Sequence, residues 1–397
     1  MDCQIQSKAG TTKRPSRNLS TRNGMIYLIA SQAIIISLVT LSSDLIAKEI
    51  NSVSSWLLFR GNPQQDGFLP TSIKGPFEIQ WKISLKDSIE GTAVVHNGKV
   101  YFGCMDEKVY ALDCKDGKEI WKYKGGSFKA PPSIQDEVIY IGDIDGSLHA
   151  IDLNTGIKKW AFATNGEISG GANFFKKNIL FGSQDENLYC LNAAGKELWK
   201  FKMEGPFFGS CAIIEGKTFA AGCDSTLHVL DAETGKELSN LDLGGQTGAT
   251  PSIAGDDLFV GTMSNNVLGI NWKKPKINWN YKPEKRSQPF FSSCAIAKNL
   301  VVVGGRDKKI HAIDREKGME IWGVQTDGKV DASPLILGNT VVAGSFDGYL
   351  YFLNLEDGKL IQKLNLGGEI SGSPVFYENS IYLGTSKGDF FRLKPKE

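Results

Sequence analysis

The chain has 397 residues, 41% hydrophobic and 22% charged, which excludes a mainly disordered protein and a polytopic membrane protein. Glycine is abundant at 44 and proline sparse at 14, a balance that predicts many tight turns rather than flexible linkers. The net charge of +1 gives no electrostatic case for nucleic acid, and no nucleic-acid partner is expected.

Residues 1–24 form a basic region, with Lys8, Lys13, Arg14, Arg17 and Arg22 against a single acid, Asp2. An apolar run follows from Met25 to Leu41. A basic stretch before an apolar one is an export signal, with the basic end left in the cytoplasm. Residues 25–47 therefore read as a signal peptide or an N-terminal membrane anchor. Cleavage after Ala47 is one outcome, but Leu45 at the minus-three position is not small. If the segment is not cut, residues 25–41 associate the chain with the inner membrane. No Leu-x-x-Cys lipobox follows the run. The expected address is the periplasm or cell envelope.

Residues 48–77 are a lead-in, and residues 78–397 carry a repeat. A β-rich unit recurs in 98–121, 137–160 and 178–199: an alternating strand ending in Gly, a turn with Asp, a second strand ending in Asp or Asn, a Gly turn, then often Trp. The strand-ending glycines are Gly103, Gly142, Gly182, Gly222, Gly261, Gly304, Gly344 and Gly384. Their spacings are 39, 40, 40, 39, 43, 40 and 40. A strand-only unit at this period predicts an all-β fold, an eight-bladed β-propeller of four-stranded blades. In each blade strand A, nearest the axis, is short and rich in small residues. Strands B and C form a hairpin, and strand D is outermost.

Trp81, Trp121, Trp160, Trp199, Trp279 and Trp322 occupy one position in strand D, replaced by Ser239 and Gln362 in two blades. The eighth unit ends at strand C, residues 389–395. The segment 78–85 carries Trp81 forty residues before Trp121, so it is expected to complete the last blade and close the ring as a monomer.

The titratable residues distribute by register. His149, His228 and His311 recur at one strand-C position in different blades, which predicts packing or surface roles rather than a metal cluster. Six cysteines lie beyond the leader's Cys3, without a CxxC or adjacent pair. Cys211 and Cys294 share a strand-A position, and Cys104 and Cys223 share a turn position, in non-adjacent blades. Such pairs are too far apart to bond, so free thiols and no metal site are expected.

The stretch from Ala111-Leu-Asp113 to Gly117-Lys118-Glu-Ile-Trp121 resembles the tryptophan-docking repeat of the PQQ-like, quinoprotein-type propellers; Ala150–Trp160 and Ala312–Trp322 match it too. The same repeats occur in outer-membrane assembly factors of the BamB type. The lead-in from Trp56 through Phe59, Arg60, Gly61 and Pro63 resembles that of such exported proteins. The resemblance covers residues 56–397 and is far more specific for fold than for activity. Its enzymatic members imply a quinone (PQQ) with calcium, an adjacent-cysteine ring and an acidic base. This chain has no Cys-Cys pair and no recognisable calcium motif, so no cofactor and no catalytic residues are expected. The resemblance implies an exported scaffold that binds envelope proteins, in its most concrete form BamB-like in outer-membrane protein assembly. A quinone- or small-molecule-binding propeller, with oxidoreductase activity, is the alternative.

By the same analogy, ligands meet the face carrying the D–A and B–C loops. The residues entering strand A there include Glu90, Lys129, Ser169, Ser292, Asp331 and Ser371. Just before them come Ile89, Phe128, Ile168, Phe208, Thr247, Phe291, Val330 and Ile370, expected to pack between blades. The B–C tips are acidic in blades one to four and basic in blade six, where Arg306, Lys308 and Lys309 form a candidate partner face. The 43-residue spacing places an insertion, NYKPEKRSQPFF, before strand A of blade six.

Overall fold

The structure is a computed structural model that describes residues 55–73, 75–285 and 287–396. The readings of residues 1–24 and 25–47 fall outside these residues, as does the start of the lead-in.

Within the described residues the chain forms eight sheets, each built on a four-stranded antiparallel blade, and two of them gain a fifth strand from the lead-in. Blade one is typical: strand A is Val94–His96, B is Lys99–Cys104, C is Lys108–Asp113 and D is Glu119–Lys124. Strands B and C are near-continuous apolar runs, Val100–Cys104 and Val109–Leu112 in blade one, buried on both faces as sheets stacked around an axis must be. In the eighth sheet the strand Phe77–Ser84 pairs with Asp389–Pro395, so both ends of the repeat region share one blade.

Every blade carries a register shift between strands C and D. One residue of strand D is left outside the pairing each time: Ile120, Lys159, Leu198, Leu238, Asn278, Ile321, Ile361 and Gln80. A bulge twists the exposed outer edge away from flat pairing, which protects it from other chains.

The periodic strand-ending glycines are not turn residues. Seven of the eight are explained by the apolar residue that ends the D–A loop leading into the next blade; a Cβ on Gly222 would instead meet the Pro206 carbonyl and Met203. A Cβ on Gly103 would run into Phe128, on Gly261 into Phe290 at 2.6 Å, and on Gly384 into Ile89. The next blade therefore packs directly on bare backbone, and the pair Gly384–Ile89 makes this contact across the closure. The plugging residues are Ile89, Phe128, Ile168, Phe207, Phe290, Val330 and Ile370, all fully buried, and Thr247 stands buried at the equivalent position beyond Gly222. Blades four and six thus use Phe207 and Phe290, not Phe208 and Phe291. Both loops hold a Phe-Phe pair, and only packing on Gly182 and Gly261 decides which ring goes inside.

The tryptophan column is a second inter-blade lock. Each indole lies over the C–D turn glycine of the next blade. A Cβ on Gly156 would sit 2.8 Å from Trp121 and one on Gly195 2.7 Å from Trp160. These turn glycines have φ near +70°, so glycine is required by both conformation and contact. The indole N–H donates to a carbonyl of the same turn: Trp81 to Cys114 at 3.0 Å, Trp121 to Leu153 at 3.1 Å, Trp160 to Ala193 at 3.0 Å, Trp279 to Arg315 at 2.8 Å and Trp322 to Leu355 at 2.8 Å. Trp199 stacks on Gly235 without such a bond.

Candidate functional site

The eight strands A surround an axial channel, and its walls follow from sequence position. At the mouth, on the D–A/B–C face, stand Glu90, Lys129, Ser169, Phe208, Gly248, Phe291, Asp331 and Ser371. The structure therefore brings together five of the six expected ring residues. Ser292 is the exception: it is fully buried, its hydroxyl 3.2 Å from the Gly304 amide nitrogen. Phe291 takes its place at the mouth, for the Phe-Phe reason given above.

Beneath the mouth the backbones approach so closely that side chains are excluded. A Cβ on Gly91 would lie 2.8 Å from the Lys129 carbonyl, and one on Gly372 2.7 Å from that of Gly91. One layer deeper runs a belt of hydroxyls. The Ser373 N–H donates to Thr92 Oγ1 at 2.9 Å, that of Ser333 to Ser373 at 3.0 Å, and that of Ser293 to Ser333 at 2.9 Å. The amides of Thr250, Ser210 and Gly171 continue it to Ser293, Thr250 and Ser210 at 3.1, 2.8 and 2.8 Å. Six of the eight blades thus lend a hydroxyl to a neighbour's backbone; Pro131 and Gly171, at this position in blades two and three, have none to lend. The belt is open at Pro131, which has no N–H to give.

The far end is closed by the lead-in, which crosses beneath the axis as a strap. Ser55–Trp56 pairs antiparallel with blade one, and Phe68–Leu69 pairs parallel with blade seven. Between them the carbonyls of Leu57, Pro63, Gln64, Asp66 and Gly67 accept from the amides of Ile134, Ile213, Ile253, Ile296 and Ile336, at 2.8–3.0 Å. The inner edges of strand A, otherwise unpaired, are satisfied this way. Arg60 reaches into the interior and donates to the Pro334 and Cys294 carbonyls. Burial pushes its guanidinium down to about 10. Phe59 forms the floor of the channel, which is therefore a blind cup of about 160 Å³.

The charges around the mouth are largely engaged with one another. Arg306 lies over the Phe291 ring at 3.7 Å and makes a bidentate pair with Asp331, both contacts 2.9 Å. Lys329 also meets Asp331, at 3.1 Å, and Lys129 meets Glu167. Of the expected partner-face residues, Arg306 is thus tied to the mouth and Lys309 to Glu320 at 2.6 Å. Lys308 stands exposed at the turn, in the left-handed conformation at φ 68°.

The histidines join their own B–C turns. His149 bonds Asp143 at 2.7 Å, and His228 bonds Asp224 and Glu237, both at 2.8 Å. His311, fully buried, meets Asp307, Glu320 and Tyr281. In other blades a tyrosine does the same: Tyr110 to Asp106, Tyr189 to Asp185 and Tyr351 to Asp347. The turn acids and strand-C rings are thus one repeated clasp. The sequence signal for it was Asp followed four residues later by Tyr or His in five blades, and six residues later in the Asp143–His149 pair, which periodicity alone did not connect. All six described cysteines are thiols. Cys190 and Cys211 share one apolar cluster between blades three and four.

An eight-bladed ring of four-stranded sheets, locked by indoles over turn glycines, defines a quinoprotein-type repeat propeller. The chain belongs to the family described as Outer membrane protein assembly factor BamB, whose model matches residues 78–181, 184–298 and 292–397. Outer membrane protein assembly factor BamB of Shewanella oneidensis is 22% identical over 281 residues, covering 62% of this chain and 70% of that protein. The Burkholderia pseudomallei protein of the same name is 22% identical over 283 residues, 65% of this chain and 72% of its own length. A 97-residue stretch is 37% identical to Beta-alanine-activating enzyme of Danio rerio, but this spans only 8% of that enzyme. Among solved structures, BamB from Moraxella catarrhalis superimposes with a TM-score of 0.70 at 17% identity, over 81% of this chain and 99% of that one. A europium-containing methanol dehydrogenase does so at 0.71 and 13%, over 88% and 100%. At such identities both share the fold.

Proposed function

We propose that the chain is an exported, non-catalytic propeller scaffold that binds envelope proteins and serves outer-membrane protein assembly. The family membership and the BamB relatives support this reading. The observation that carries it is the state of the axial channel, whose polar groups are spent on the propeller itself. The belt hydroxyls hold neighbouring backbones, Lys129 and Asp331 at the mouth are held in ion pairs, and the strap closes the floor.

A quinone does not fit these residues. The cup holds about 160 Å³, below the ~300 Å³ at which small-molecule sites begin. Asp331, the acid best placed to act as a base, is bound by Arg306 and Lys329. The exported address rests on the basic and apolar leader, with residues 25–41 as the membrane contact if the leader is retained.

The test is twofold. Depletion of the protein in its own cell is expected to lower the folded level of outer-membrane β-barrels. Purified protein given quinone, calcium and an artificial electron acceptor is expected to oxidise neither alcohols nor sugars. Turnover abolished by Asp331→Ala would replace the scaffold reading with the oxidoreductase one.

A further inference from the structure

The D–A/B–C face carries its charge unevenly. In each of blades one to five the B–C turn is bonded to the D–A loop that enters the same blade. The amides of Met105, Ile144, Gln184, Cys223 and Met263 donate to the carbonyls of Ser88, Ser127, Glu167, Pro206 and Gln246, at 2.7–3.0 Å. The paired loops form one surface, braced by backbone, on that side of the mouth. Its lysines are mostly engaged. Lys108 pairs with Asp106 at 2.9 Å, Lys124 with Glu107 at 3.6 Å, and Lys129 and Lys202 with Glu167 and Glu186. His149 and His228 meet Asp143 and Asp224. Six acids of these loops and the strand ends that lead into them make no ion pair among the described residues: Asp87, Glu90, Asp145, Asp185, Glu204 and Asp242. Asp185 is half-buried and the other five are exposed. Lys86 is the lysine of the same loops left to oppose them. This part of the face is therefore anionic.

The unpaired acids are spread, two in blade one and one in each of blades two to five. Among the described residues no three acids, cysteines or histidines stand close enough together to hold a metal ion. Such spacing does not gather the six or more oxygens that a hard cation takes, and suits separate cations along one chain. Apolar side chains lie between the acids. Met105, Ile144, Phe208 and Met263 are half-buried on the same loops, Phe208 because Phe207 takes the place against Gly182. Methionine and aromatic rings are enriched where proteins meet.

We propose that the D–A/B–C face over blades one to five docks a Lys- and Arg-rich segment of an envelope protein. The proposal rests on the scaffold reading and gives it a face and a partner chemistry. The unpaired carboxylates steer and orient the segment, and the apolar tips between them supply contact area.

The test titrates the full chain, in mild detergent at low salt, with a labelled peptide of about ten residues alternating Lys and Ser, which spans ~30 Å when extended. Saturable, salt-sensitive binding is expected, with slowed hydrogen exchange over 85–90 and 203–208. Glu90→Gln, Glu204→Gln and Asp242→Asn together should weaken it roughly ten-fold or more, with thermal unfolding unchanged because all three side chains are exposed. Asp136→Asn, Glu197→Gln and Glu316→Gln make the same charge change at the A–B and C–D turns and should leave binding intact. An equal loss in the two triples, or none in the first, would overturn the proposal. So would saturable calcium binding that displaces the peptide and is lost in the first triple. A photo-crosslinker placed in cells at Gln246 and, separately, at Lys308, both exposed, tells the two readings apart. Adducts with envelope proteins from Gln246, lost in the first triple, are expected. Adducts from Lys308 alone would remove this face and keep the scaffold. Adducts from neither position would remove the scaffold.

Discussion

Trp272 lies edge-on against Phe219, ring centroids 5.2 Å apart and planes at 77°. The contact runs backwards. Elsewhere an indole on strand D reaches forward to the next blade's turn. Here strand D of blade four offers Ser239, and the C–D turn of blade five supplies the tryptophan, which returns to blade four. Trp272 is buried and donates to the Gly255 carbonyl at 2.8 Å.

Trp272→Ala is accordingly expected to cost about 3–5 kcal/mol, as is Trp121→Ala at an ordinary interface. Urea unfolding followed by fluorescence measures both. Ser239→Trp should not rescue Trp272→Ala, because the turn of blade five has no glycine to receive an indole.

The other missing indole is replaced by an amide. Gln362 accepts from the Phe77 N–H through Oε1 at 2.6 Å and donates Nε2 to the Phe77 carbonyl at 2.7 Å. Gln362→Leu leaves both backbone groups unpaired at the closure and should cost about 1–3 kcal/mol in chemical denaturation. Deleting 77–84 removes strand D of blade eight altogether and should abolish a single cooperative transition. A truncation that melts like the parent would refute closure by this strand.

The His311 clasp sets a pH window. Burial opposes the charged ring, but its hydrogen bonds to Asp307 and Glu320 outweigh this and raise its pKa above the ordinary 6.5. The hydrogen bond from His311 holds Glu320 down to about 2. A raised histidine gives stability that is full below pH 6.5 and is lost as pH rises through its native value. A depressed glutamate gives stability present above 4.5 and lost as pH falls toward 2. The stability gap between the parent and His311→Asn should therefore be wider at about pH 6 than at about pH 9. An equal gap at both values would show that the ring acts as a neutral group.

Burial raises the thiols, with Cys104, Cys114, Cys190 and Cys294 pushed up to about 12. Native alkylation should therefore be slow and begin at half-buried Cys223. Mass spectrometry after denaturation without reductant should find all six cysteines beyond Cys3 as thiols. Cys190 and Cys211, neighbours in one cluster, are the pair whose bridging would contradict this.

At the mouth, Glu90→Ala should change stability by less than ~0.5 kcal/mol. Asp331→Ala, which releases the bidentate Arg306, should cost about 1 kcal/mol. The two thermal melts separate a loose ring residue from a structural one.

The repeat spacing, the tryptophan column and the placement of 78–85 were legible in the sequence because each rests on strand period and repeat register. Sequence register also found most of the channel mouth. It failed at Phe207–Phe208 and Phe290–Phe291, where two identical side chains compete and only the bare Cα of Gly182 or Gly261 selects one. It was equally silent on Arg60. An arginine in a polar lead-in carries no sign that its guanidinium will be buried against the carbonyls of Pro334 and Cys294. The charges of Arg306 and Lys309 read as surface charges, because their partners Asp331 and Glu320 lie in other strands and loops. The sequence by itself determined what recurs: strands, glycines and indoles, since local sterics and burial act identically in every blade. Tertiary structure decided what happens once: the strap across the axis and the two substituted locks. Each of these depends on contacts between segments far apart in the chain, which no periodicity encodes.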